Sequence, residues 1–154
     1  MALKGDRYEA ITDISFFMDQ EAERGGVVCL KTAGSGAALD QADAEVEYAA
    51  DPSGLMPVGL LLCDMVDKDL TKTHLNFHKN EMQKGGKVVL LLDGWVVTNV
   101  IDTGVSVAGG ERAYVQANGE LTNTIGAGGN VEVGRWLSSK DEDGYAKIYV
   151  KLPK

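Results

Sequence analysis

Two cysteines, two histidines and no long apolar run leave this chain of 154 residues with little of what disulfide scaffolds, metal centres and membrane anchors are built from. A spanning helix needs about 20 consecutive apolar residues, and the densest stretches here, 57–63 and 87–101, are cut by Gly, Asp or Thr before that. No membrane partner is expected. Cys29 and Cys63 lie inside apolar strand-like patterns, where a free thiol behaves as a small buried hydrophobe. Residues 1–20 lack a basic start followed by an apolar stretch, which predicts synthesis and folding in a reducing cytoplasm. Cationic clusters are also missing. With a net charge of −8 and fifteen scattered Lys and Arg, the chain would repel phosphate backbones, so no nucleic acid is expected.

Assembled reactive groups are scarce for the same reason. No serine sits in a Gly-x-Ser-x-Gly elbow, and no glycine cluster precedes a helix start in a phosphate-cradling pattern. His74 and His78 are spaced i and i+4, which on a helix would put both on one face. No Glu follows His74 as in a metalloprotease, and no third ligand is fixed by the spacing, so both read as solvated or hydrogen-bonded histidines. Asp141-Glu-Asp-Gly144 lacks the later acidic ligand of a calcium loop and reads as a turn. Neither a metal, a cofactor nor catalytic turnover is expected.

What is present is a β pattern. Short Val- and Leu-rich runs such as Pro57-Val-Gly-Leu-Leu-Leu-Cys63 are too short and too sharply punctuated for helices. Asp93-Gly94 predicts a tight hairpin between strands at 87–92 and 95–101, and Asn118-Gly119 predicts another. Eight to ten short strands at regular spacing predict an all-β fold, a small β-barrel or sandwich. One short helix or long loop is expected near 67–83, closed by Gly85-Gly86. The organisation reads as an N-terminal arm over 1–24 and a β-barrel domain over 25–154, with Gly25-Gly26 as a swivel between them. Trp95 and Trp136 fall in strand patterns and read as core or rim anchors.

The order of segments resembles a known family. Asp13-Ile-Ser-Phe-Phe-Met18 with Ala22-Glu-Arg-Gly-Gly26, Pro57-Val-Gly-Leu-Leu61, Val66-Asp-Lys-Asp-Leu-Thr71, Gly85-Gly-Lys-Val-Val89, Gly94-Trp-Val-Val-Thr-Asn99, Val133-Gly-Arg-Trp-Leu137 and Asp141-Glu-Asp-Gly-Tyr145 together resemble the capsid decoration, or cement, proteins of tailed bacteriophages. The resemblance covers nearly the whole chain and rests on the ordered set rather than on any one motif. It implies a non-enzymatic protein on the outer capsid surface of the virion, binding the major capsid protein and bridging its subunits. A homo-oligomer, with trimers at three-fold or quasi-three-fold positions, is the assembly it implies. A carbohydrate-binding or adhesin-type module on the virion surface is the alternative, with Trp95, Trp136 and nearby tyrosines as stacking platforms. A metal-dependent hydrolase around His74 and His78 is a third reading. Within the arm, Tyr8, Ile11, Ile14, Phe16, Phe17 and Met18 form the densest apolar group near the chain end, and they are the expected partner-binding residues.

Overall fold

The strands follow from two kinds of hydrophobic pattern. Where a strand is covered on both sides its residues are apolar without interruption, and where one side is open they alternate. A computed structural model of the chain describes residues 2–32, 34, 44–126 and 129–153. Among these, strand β1 is Tyr8–Asp13, β2 Val27–Thr32, β3 Glu45–Glu47, β4 Pro57–Leu61, β5 Asp64–Val66 and β6 Glu81–Gln83. β7 is Leu90–Thr98, β8 Arg112–Val115, β9 Leu121–Thr122, β10 Val131–Trp136 and β11 Ala146–Lys151. The fold is all-β: nine strands form one antiparallel sheet in the order β3-β2-β4-β7-β11-β10-β8-β9, with β1 paired to β7 off that path. The sheet curls strongly into a half-barrel.

Two apolar clusters hold it. The larger fills the curl with Val27, Leu60, Leu91, Val96, Val133, Trp136, Ile148 and Val150, among others. The smaller contains Met18, Val28, Val46, Leu61, Cys63, Met65, Val88 and Leu90. Neighbours in sequence go to different clusters: Val27 and Val28, Leu60 and Leu61, Leu91 and Leu90. That explains the unbroken apolar runs, since β2, β4 and the start of β7 bury both faces. β11 shows the other pattern, with Ala146, Ile148 and Val150 buried and Lys147, Tyr149 and Lys151 turned outward.

Asp93-Gly94 does not make a hairpin. β7 runs unbroken through it, and β1 crosses here so closely that a Cβ on Gly94 would collide with the Tyr8 carbonyl. The glycine answers a close approach between strands, and turn chemistry has no part in it. The Asn118-Gly119 hairpin does form. Both residues have positive φ (61° and 75°), and Tyr114 of β8 faces Thr122 of β9 across it. Asp141–Gly144 is a turn, as its composition suggests: the Gly144 amide donates to the Asp141 carbonyl at 3.1 Å, and the Tyr145 amide donates to the Asp141 carboxylate at 2.9 Å.

Gly25 and Gly26 are no swivel. Both are buried, the Gly25 amide donates to the Leu61 carbonyl and the Leu61 amide donates to the Gly26 carbonyl, each at 2.9 Å. Residues 2–24 are laid along the sheet by further backbone bonds. The Lys4 amide donates to the Val97 carbonyl at 3.0 Å, the Val88 amide to the Phe16 carbonyl at 3.0 Å, and the Met65 amide to the Ala22 carbonyl at 2.8 Å. Leu3 is buried in the larger cluster and Met18 in the smaller. The 67–83 region is a long excursion over 67–80, holding one 3-10 turn at Phe77–Lys79, and then β6, which pairs in parallel with β5. The small, glycine-rich segment 32–43, a surface loop by composition, lies mostly outside the described residues.

Candidate functional site

β1 is built unlike the other strands of the main sheet. Its antiparallel pairing with β7 is broken by two register shifts, and five of its six residues are exposed and the sixth is half-buried. A strand held by its backbone while its side chains stay in water gains little from burial. Tyr8 is 56 % exposed, Ile11 53 % and Ile14, just beyond the strand, 60 %. Phe16 and Phe17 are half-buried, and Phe17 bridges to both Glu45 and Lys87. Met18 has no exposed surface and gives nothing to a partner. Of the six arm residues singled out in the sequence, three thus point outward, two sit at the margin and one is core.

At the end of β1, Asp13 and Ser15 line a hollow of about 300 Å³ together with the apolar Phe16, Met56, Val58, Leu92 and Pro153. At the start of β1, Tyr8 faces Trp95 of β7, which faces Tyr149 of β11. The Lys147 ammonium stands 3.7 Å from the centre of the Trp95 ring, a cation–π pair. Tyr149 Oη donates to Asp93 Oδ1 at 2.5 Å, and this bond to a carboxylate holds the phenol above its usual pKa. Trp136 belongs elsewhere. It is fully buried with its indole N–H directed at the Thr122 carbonyl, so only Trp95 is placed to meet a ligand.

Among the described residues no group of three or more His, Cys, Asp and Glu is arranged to hold a metal ion. His74 and His78 are both exposed, and no helix joins them. Cys29 and Cys63 are free and buried; burial, helped by Glu47, pushes the Cys29 thiol up to about 11, and burial also raises that of Cys63. Thiols in that condition are poor nucleophiles. Arg24, 4 % exposed, is a fastener: its Nη1 donates to the Lys79 carbonyl at 2.6 Å and its amide to Asp64 Oδ1 at 3.0 Å, tying the 67–80 excursion to the start of β2. No described helix is long and apolar enough to cross a membrane.

Neither the known family models nor the curated proteins compared with the sequence match it. The site therefore stands on its geometry alone. Three of the expected arm residues, Tyr8, Ile11 and Ile14, are exposed, whereas the Tyr8, Trp95 and Tyr149 row was not legible in the sequence. The only sequence signal for that row is the alternation Lys147-Ile-Tyr149-Val-Lys151, which marks an open face without saying what lies beside it.

Proposed function

We propose that this chain is a non-enzymatic decoration protein of a bacteriophage head, made in the host cytoplasm and attached to the outer capsid surface, where it bridges subunits of the major capsid protein. The observation that carries the reading is β1: a strand fixed by its backbone whose apolar side chains remain exposed and whose end lines a largely apolar hollow. Exposed apolar groups on a well-ordered element are the usual mark of a contact surface. The resemblance of the ordered segments to decoration proteins supplies the partner, and trimers at three-fold positions are part of the same proposal. Many copies, each contributing a few kcal/mol, resist shell failure together because linked contacts must break at once.

The alternative, a carbohydrate-binding or adhesin-type module, draws on the Tyr8, Trp95 and Tyr149 row. A co-sedimentation assay with expanded empty heads separates the readings. Wild type should pellet with heads, and the double variant Ile11→Ser with Ile14→Ser should bind at least about tenfold more weakly, since each buried Ile contributes roughly 1.5–3 kcal/mol. Wild type that stays in the supernatant would overturn the proposal.

A further inference from the structure

We propose that the open sheet face running from Tyr8 across β7, β11 and β10 to Arg112 on β8 receives an acidic, partly apolar patch of the partner protein. The inference rests on the docking reading above and names the chemistry of what docks. Its first support is register. Tyr8 lies opposite Trp95, Trp95 opposite Tyr149, Tyr149 opposite Arg135, and Arg135 opposite Arg112. Directly opposed residues of antiparallel strands share a face, so these five side chains form one row across five strands, roughly 20 Å long. Tyr, Trp and Arg are the residue types that dominate binding hot spots between proteins.

Charge supplies the second support. The chain carries −8 overall, yet this face presents Lys147, Lys151, Arg135 and Arg112 beside Asp93 and Glu132, with Arg112 Nη1 4.0 Å from Glu132 Oε2, so cations outnumber carboxylates by two. The rest of the molecule is therefore more acidic than the whole. An acidic partner would attract this face and repel the others, which fixes orientation as well as contact. Lys147 over the Trp95 ring holds the indole in place and occupies one of its two faces. A stacked sugar would have to compete with that cation, whereas a carboxylate from a protein partner would be drawn to it.

The third support is a receptor of fitting size. Tyr149, Leu137, Arg135, Lys151 and Glu132 surround a hollow of about 290 Å³ floored by Gly134. A Cβ on Gly134 would collide with the Tyr149 carbonyl, so the floor is bare backbone. Leu137 and Tyr149 give it apolar wall, and Arg135 and Lys151 outnumber the one carboxylate, Glu132, which suits a side chain that is an aliphatic stem ending in a carboxylate.

The test compares wild type with the double variant Arg135→Glu and Lys151→Glu, both positions being exposed, with thermal melting as a check that the variant folds. Trp95 emission is the reporter, because Trp136 is buried and Trp95→Phe gives its background. The probes are expanded heads, poly-L-glutamate and polygalacturonate, each at low and at physiological salt. Poly-L-glutamate is expected to shift Trp95 emission, salt to weaken the response, and the double variant to lose at least about tenfold in apparent affinity. If wild type binds poly-L-glutamate but not heads, the capsid reading fails and the acidic-partner inference stands. If wild type and variant bind heads equally, the capsid reading stands and this inference is overturned. It is also overturned by a Trp95 response to polygalacturonate without one to poly-L-glutamate, by self-association that the double variant abolishes, or by a wild type indifferent to every probe.

Discussion

Gly94 and Gly134 sit in mid-strand, where glycine ordinarily weakens a sheet, and each is there because another strand's carbonyl passes through the space a Cβ would fill. Gly94→Ala should therefore push β1 away from β7. We expect a stability loss of about 1–3 kcal/mol, with faster amide exchange concentrated at residues 8–13; unchanged exchange there would show that Tyr8 is not held by this approach. The two tryptophans separate in the same way. Trp136→Ala empties the centre of the larger cluster and should cost about 3–5 kcal/mol in urea unfolding, whereas Trp95→Ala should cost clearly less, since the ring is half-buried under one lysine. Equal losses would contradict these placements. Nothing local distinguishes the two indoles in the sequence, because both lie in apolar strand patterns and only pairing partners decide which one the curl encloses.

At the scale of elements, β1 is the strand that burial does not explain, and its exposed side chains can be changed without touching the core. Ile11→Ser with Ile14→Ser should leave unfolding free energy within about 0.5 kcal/mol of wild type. A larger loss, measured by urea titration, would mean that these residues serve the fold. The Asp141–Gly144 turn makes a different claim. The Tyr145 amide above all, then that of Asp143 and the nearby Lys4, stabilise the Asp141 carboxylate and hold its pKa below the ordinary 3.8. The unfolded chain then takes up this proton first as pH falls, so the contribution is fully present above about 4 and is lost as pH drops through the lowered folded value. The melting-temperature gap between wild type and Asp141→Ala should accordingly narrow below about pH 4; a gap independent of pH would deny the turn its carboxylate. Element types were largely legible in sequence, since unbroken Val and Leu runs imply strands and Asn118-Gly119 implies its hairpin. Asp93-Gly94 carried the same local signal and was misleading, because a glycine required by a chain segment some 85 residues earlier looks identical to one required by a turn. The Gly25-Gly26 swivel failed for a similar reason, both residues being locked by Leu61.

For the whole molecule, the sequence does not locate a surface. Scattered basic residues along the chain conceal that four of them gather on one sheet face, which only the strand order β7-β11-β10-β8 brings about. On the proposed reading, the exposed strand β1 and the aromatic and basic row form the contact side of an acidic protein, although Leu70, Phe77 and Ile125 are exposed outside that row. That contact side is the central claim, and a cryo-electron microscopy map of heads carrying this protein tests it most directly. The expected result is density with β1 and the Tyr8-to-Arg112 row against the shell. A map with the chain bound but with β1 and that row facing outward, or one with no density for the chain, would contradict it.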